Sequence, residues 1–307
     1  MRSFRDKESA GLLARAKARE GLTVSVCIPA RDEEATIADI VATLRHELVE
    51  QAPLVEELLV LDDGSLDGTA LAAEHAGARV FAVDDILTTL PRGSGKGNAL
   101  WKSLFVARGD ILCFLDADVR NFGSHFVSRL VEPLIARPDI GMVKGYYRRP
   151  LDGEPTGGGR VTELMARPLL SRLFPHLAQF VQPLSGEYAA RREVLEAVPF
   201  VQGWGVEIGL LVDVAERFGI DAIAQVDLGV REHRNRPLDD LGSQALAILV
   251  AGLRRAGLAH DHAQPSAELV RFGAALERER VAVEVGERPP MGTVPAYVAK
   301  FGRELTA

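Results

Sequence analysis

Apolar positions along the chain follow two periods. Val24-Ser25-Val26-Cys27-Ile28-Pro29, Glu57 to Leu61, Arg79 to Val83, Ile111 to Leu115, Gly141 to Tyr147 and Ala224 to Val230 are runs of strand length. Between the first two, Ile37, Ile40, Val41, Leu44 and Leu48 recur at the spacing of an amphipathic helix. Further helices are predicted after Thr69, before Ile111, over Ser124 to Ala136, after Thr162, after Tyr188 in an Arg-rich segment, and from Gly203 through Phe218. Residues 1–20 predict a polar-faced helix that packs through Leu12, Leu13 and Ala16. Leu238 to Gly257 and Ser266 to Glu279 both read as helical, an extension that caps the sheet or pairs subunits and carries no visible chemistry. Strands alternating with helices predict an α/β fold with a mostly parallel sheet and right-handed crossovers.

The Pro- and Gly-rich stretch Pro150 to Gly159 predicts a mobile loop and an internal boundary. The chain then divides into an N-terminal helical segment (1–22), two halves (23–150 and 151–240) and a C-terminal helical extension (241–307).

The continuous apolar run Ile111 to Leu115 is that of a parallel strand buried on both faces, and it stops at Asp116-Ala117-Asp118. Ligands of open α/β sheets sit beyond the carboxyl ends of the strands. Residues i and i+2 share a face, so the two carboxylates make either a solvated turn or a hard-oxygen pair suited to a divalent cation. The stretch Gly93-Ser94-Gly95-Lys96-Gly97-Asn98 is predicted as a loop before a helix. It is not a P-loop, because Leu90 stands where the first Gly is required and Gly97 follows the Lys. It is either a plain surface loop or one whose amides and ammonium approach a diphosphate. Gly157-Gly158-Gly159-Arg160-Val161-Thr162, just before a helix, reads equally as a flexible loop or an anion pocket. Trp204 between two glycines hints at a ligand-facing turn. After the last strand, alternation points Arg231, His233 and Asn235 one way.

Composition narrows the partners. The 307 residues are 47% hydrophobic with a formal net charge of -7, which argues against nucleic acid. Basic residues nevertheless cluster at Arg148, Arg149, Arg160 and Arg231 to Arg236, as an anionic small molecule requires. Cys27 and Cys113 lie in apolar strands and read as buried thiols. No secretory signal is visible, and the longest apolar segment, Ala245 to Leu253, is far short of the ~20 residues a spanning helix needs. A cytoplasmic protein without a membrane partner is expected.

The order Pro29-Ala30-Arg31-Asp32-Glu33-Glu34, Asp62-Asp63-Gly64-Ser65, Lys96-Gly97, Asp116-Ala117-Asp118 resembles the nucleotide-sugar half of GT-A glycosyltransferases. Gly159 to Thr162, Pro183 to Tyr188, Gly203 to Glu207 and Arg231 to Arg236 resemble, more specifically, the glucosyl-3-phosphoglycerate synthase family, retaining enzymes with close mannosyl-3-phosphoglycerate-forming relatives. The resemblance implies a GT-A fold, with residues 23–150 as the donor half and 151–240 as the acceptor half. It implies that Pro29, Ala30, Arg31, Glu33, Asp63 and Lys96 hold the uridine and diphosphate, with Asp116 and Ala117 near the ribose. Asp118 and His233 would bind Mg²⁺ or Mn²⁺, and Glu207 and the Leu184 backbone would contact the transferred sugar. Lys96, Leu184, Glu207 and Asp118 are thereby the catalytic candidates. Gly159, Arg160, Thr162 and Asn235 would grip the phosphate of 3-phosphoglycerate, with Arg231 lending charge.

The implied reaction is same-face transfer of glucose from UDP-glucose, with Glu207 as a covalent nucleophile the variant. GDP-mannose as donor, or use of both donors, stays open. The implied assembly is a homodimer. A polyprenyl-phosphate glycosyltransferase and a non-catalytic sugar-nucleotide sensor are the competing classes.

Overall fold

The computed structural model of the chain describes residues 6–151, 154–232, 238–259, 264–273 and 276–302. In chain order it forms α1 (Asp6–Arg19), β1 (Val24–Ala30), α2 (Glu34–Leu44), β2 (Glu57–Asp62), α3 (Thr69–Ala76), β3 (Arg79–Ala82), α4 (Gly95–Val106), β4 (Ile111–Phe114), α5 (His125–Ala136) and β5 (Met142–Arg148). There follow the ribbon β6 (Pro150–Leu151) and β7 (Glu154–Gly157), then α6 (Arg167–Leu173), β8 (Tyr188–Arg191), α7 (Arg192–Glu196), β9 (Phe200–Val201), α8 (Val206–Phe218) and β10 (Ile223–Val230). The chain continues through α9 (Leu238–Arg255), β11 (Ser266–Phe272), β12 (Arg278–Glu284), β13 (Glu287–Arg288) and α10 (Pro295–Phe301).

Seven strands make one sheet in the order β10-β5-β8-β4-β1-β2-β3, so strands of both expected halves share it. Val26, Cys27 and Ile28 of β1 are fully buried, because helices cover both faces. One core cluster lies among α1, α2, α3 and α5; the other lies among α4, α6, α8, α9 and α10. The amphipathic face read from the sequence, Ile37 through Leu48, is buried throughout.

The sheet is parallel except at β8, which runs antiparallel between β4 and β5. This strand falls inside a segment the sequence reads only as an approach to a helix. It is four residues long and carries two alanines, which leaves almost no strand signal. Its direction matters. Phe114 pairs with Tyr188, so the residues preceding β8 lie beyond the carboxyl end of β4, beside Asp116.

Other expectations are corrected. Ser266 to Glu279 is not helical: β11 and β12 form an antiparallel hairpin, Ser266 opposite Glu284 and Phe272 opposite Arg278. Its period of two was masked by Glu and Arg, which here pair across the strands (Arg271 with Glu279, Arg280 with Glu268). The expected helical extension therefore contains a hairpin, whose Ala267 and Leu269 pack with Val283 against Ala247. α1 buries Ala10, Ala14 and Lys17, with Leu13 and Ala16 packed partly, whereas Leu12 faces solvent. Lys17 carries that face inward by donating to Leu54 O at 3.0 Å and pairing with Glu56. The stretch Pro150 to Gly159 is not a featureless loop, since β6 and β7 pair within it. Finally, α4 begins at Gly95, so Lys96 lies in a helical first turn. Gly97 hides that helix in the sequence, yet a Cβ there would meet Val201 O at 1.9 Å, an approach only Gly permits.

Candidate active site

One cavity of about 550 Å³ opens at the carboxyl ends of β1, β2 and β4, the edge where an open α/β sheet takes its ligand. Pro29, Ala30, Arg31 and Glu33 reach it from β1 and the turn into α2; Asp63 reaches it from the end of β2. Lys96 enters from α4, and Asp116, Ala117 and Asp118 from the turn after β4. Gly159, Arg160 and Thr162 precede α6, Leu184 precedes β8, Glu207 opens α8 and Arg231 follows β10. Each of these residues, singled out in the sequence, lines the cavity. His233 and Asn235 lie outside the described residues, as does the alternation expected beyond Glu232.

Backbone bonds set the walls. Thr36 Oγ1 donates to Ala117 O at 2.6 Å, tying the Asp-Ala-Asp turn to α2. Arg120 N donates to Glu232 O (2.9 Å) and Glu232 N to Asn121 Oδ1 (2.8 Å), so the chain leaving β10 is stitched to the same turn. Arg231 is thereby delivered next to both aspartates.

The centre is an ionic cluster. Lys96 Nζ lies 2.5 Å from Asp116 Oδ1 and 2.6 Å from Glu207 Oε1. Arg231 Nη2 bridges Asp116 Oδ2 (2.7 Å) and Asp118 Oδ1 (2.8 Å), while its Nε faces Glu187 Oε1 at 2.8 Å. Burial opposes the Lys96 ammonium, but Asp116 and Glu207 outweigh it and hold its pKa well above the ordinary lysine value. Burial likewise opposes ionisation of Asp116, and Lys96 and Arg231 overcome it, so its carboxyl stays below the usual range. Asp63 differs: burial raises its carboxyl pKa against the pull of Arg31 and the Gly95 amide.

A layer the sequence did not disclose supports this cluster. Glu187 is fully buried and accepts from Tyr147 Oη (2.6 Å) and Ser185 Oγ (3.1 Å). Lys144 Nζ, also buried, donates to Ser185 O at 3.1 Å and lies 5.0 Å from the Tyr188 ring centre. The turn before β8 is thus pinned by a cation and an anion from beneath. Each group sits at an ordinary strand or turn position, so only Glu187's place in Ser-Gly-Glu-Tyr marked it. Arg149 also lines the cavity; the local basic cluster was the signal for it. Trp204, Leu241, Gln244 and Ile248 complete the wall, the last three from α9, where the sequence shows no chemistry.

Among the described residues no three His, Cys, Asp or Glu converge as a cation cage. A metal ion that substrate phosphates also hold needs only one or two carboxylates. Asp118 fits that role: it lines the cavity, its side chain is one quarter exposed, and Arg231 engages one of its oxygens.

The model of glycosyl transferase family 2 matches residues 25–198, more than half of the chain. The glucosyl-3-phosphoglycerate synthase of Petrotoga mobilis is 43% identical over 303 residues, covering 95% of this chain and 93% of that protein. The crystal structure of the Mycobacterium tuberculosis glucosyl-3-phosphoglycerate synthase with Mn²⁺, UDP-glucose and phosphoglyceric acid is 48% identical; the match covers 92% of this chain and 94% of that one with a TM-score of 0.83. A second structure of that enzyme, holding Mn²⁺, UDP-glucose and glycerol 3-phosphate, matches at 46% identity with a TM-score of 0.82, again over 92% and 94% of the two chains. The chain belongs to glycosyl transferase family 2 and, within it, to the family of the glucosyl-3-phosphoglycerate synthases.

Proposed function

We propose that the chain transfers glucose from UDP-glucose to 3-phosphoglycerate, with retention of the anomeric configuration and with Mg²⁺ or Mn²⁺. One observation carries this reading: a single cavity joins the Lys96–Asp116–Arg231–Asp118 cluster to the Gly159–Thr162 stretch. The relative whose structure holds Mn²⁺, UDP-glucose and phosphoglyceric acid supports the choice of substrates.

In this reading Pro29, Ala30, Arg31, Glu33 and Asp63 bind the uridine end of the donor, and Asp116 and Ala117 the ribose. Asp118 holds the metal together with His233. The bound metal supplies Lewis-acid stabilisation of the negative charge left on the diphosphate. Lys96, kept as an ammonium by its two carboxylates, adds a fixed positive charge on the same side. Leu184 and Glu207 orient the sugar. Glu207 is tied to Lys96 at 2.6 Å, and a paired carboxylate is a poor covalent nucleophile, so same-face attack is the mechanism of this reading. Gly159, Arg160, Thr162 and Asn235 take the acceptor phosphate, and Arg231 contributes charge. Residues 23–150 serve as the donor half and 151–240 as the acceptor half of a cytoplasmic homodimer. No described helix is long and apolar enough to cross a membrane, which counts against a polyprenyl-phosphate acceptor.

The test is release of nucleoside diphosphate by the purified protein, with UDP-glucose and GDP-mannose in parallel. UDP release that requires both 3-phosphoglycerate and Mg²⁺ or Mn²⁺ is expected. Release from GDP-mannose alone would overturn the donor, and release independent of 3-phosphoglycerate would overturn the acceptor.

A further inference from the structure

The cavity wall carries five cationic side chains, and they are not equivalent. Lys96 and Arg231 are each ion-paired in place, with Asp116, Asp118, Glu187 and Glu207. Arg31 lies near Asp63. Arg149 makes no close ion pair among the described residues, and the Asp116 carboxylate acts on it only at longer range. Its Nη2 donates to Tyr147 Oη at 2.8 Å, and its guanidinium lies 5.0 Å from the centre of the Tyr147 ring. Its Nε is buried with no hydrogen-bond partner among the described residues. A guanidinium held partly out of water without a close, hydrogen-bonded counter-ion is costly unless an anion joins it.

The neighbours of Arg149 say which anion. A point one Cβ bond out from Gly159 is 3.6 Å from Arg149 Nη1 and 3.8 Å from Thr162 Oγ1, so this guanidinium and this hydroxyl flank the same backbone turn. Tyr147 is itself fixed, since its hydroxyl donates to Glu187 Oε2 at 2.6 Å. Glu187 therefore orients two arginines, Arg231 directly and Arg149 through Tyr147. Both guanidiniums lie within 5.5 Å of the same ring centre.

We propose that Arg149 is a further binding residue of the acceptor pocket, a second guanidinium for the acceptor's phosphate, with Tyr147 as its positioning residue. The proposal rests on the acceptor assignment above and deepens it. A dianionic phosphate met by two planar guanidiniums, a hydroxyl and backbone amides has its charge balanced in a protein of net negative charge.

The test compares wild type with Arg149→Met, Arg149→Lys and Tyr147→Phe. Two readouts are used: calorimetric binding of glycerol 3-phosphate, which has the phosphate but no carboxylate, and KM for each substrate. Arg149→Met is expected to weaken glycerol 3-phosphate binding and raise the 3-phosphoglycerate KM alike, by roughly 10- to 100-fold. The UDP-glucose KM stays within about twofold, and Arg149→Lys, which keeps the charge and loses the fork, falls between. Tyr147→Phe raises the acceptor KM several-fold at unchanged donor KM; equal change in both KM values would make Tyr147 merely structural. Unchanged glycerol 3-phosphate binding in Arg149→Met overturns the proposal, including the case where only 3-phosphoglycerate suffers, which moves Arg149 to the carboxylate. Wild type that binds glycerol 3-phosphate yet transfers no glucose contradicts the functional reading instead, and the binding comparison still decides Arg149.

Discussion

Gly186→Ala isolates what the Lys96–Asp116 pair contributes. A Cβ at Gly186 would stand 2.4 Å from Lys96 Nζ, 2.4 Å from Asp116 Oδ1 and 2.5 Å from Asp116 Oδ2. The backbone is no obstacle, because Gly186 is not among the glycines with positive φ, so the effect is steric and local. Asp116 has a short side chain and is held by Arg231 as well, so the flexible Lys96 ammonium is the group that yields. Lengthening its 2.5 Å contact by about 1 Å, at an effective dielectric of about 20, costs roughly 2 kcal/mol. In the proposed reading Lys96 faces the departing diphosphate, and a like displacement from that charge loses a similar amount, about 30-fold in kcat. Initial rates with both substrates saturating, beside a thermal melt, provide the assay. A folded Gly186→Ala protein with kcat within about twofold of wild type would refute the reasoning: the turn before β8 would then not set the ammonium.

Asp118→Ala removes the carboxylate assigned to the metal, and kcat is expected to fall by at least about 100-fold while the melt stays close to wild type, because Arg231 keeps Asp116 and Glu187. An Asp118→Ala protein whose rate and Mn²⁺ dependence match wild type would remove Asp118 from that role. Glu187→Gln removes one of the three carboxylates around the buried Arg231 and leaves Asp116 and Asp118, so urea denaturation should show a loss of about 1.5–3 kcal/mol. Lys144 gives a pH signature. Burial pushes its pKa down to about 8, against the pull of Glu207, whereas an unfolded lysine titrates near 10.4. Between those values the unfolded chain binds more protons, so stability rises with pH. Wild type should gain on the order of 2 kcal/mol from about pH 8 to about pH 10 relative to Lys144→Met. Parallel pH curves for the two proteins would contradict the burial of a titrating ammonium.

The legible parts of the chain are those whose cause is local. β1, β2 and β4 announce themselves because a strand buried on both faces must be apolar throughout, and the polar residues that end them are where a ligand can reach. The amphipathic stripe of α2 is equally local. β8 is invisible for the opposite reason: Tyr-Ala-Ala-Arg becomes a strand only because β4 and β5 supply partners on both sides. The hairpin of β11 and β12 looks helical in sequence because Glu and Arg at strand spacing imitate a helix surface. The site divides in the same way. Asp116, Asp118 and Lys96 stand in recognisable sequence neighbourhoods. Arg231 as a hub for three carboxylates, and Lys144, Tyr147 and Glu187 beneath the turn before β8, are products of tertiary packing. Gln244 reaches the cavity because α9 packs over α8 and the turn at Gly203–Gly205, a contact no periodicity within α9 predicts.

The stereochemistry and linkage of the product test the central claim most directly. Proton NMR of the product formed from UDP-glucose, 3-phosphoglycerate and Mg²⁺ should show one glucosyl group on the acceptor's hydroxyl, with the anomeric configuration of the donor kept. An inverted product, glucose carried on the phosphate instead of the hydroxyl, or no product from a protein that binds UDP-glucose would contradict the account.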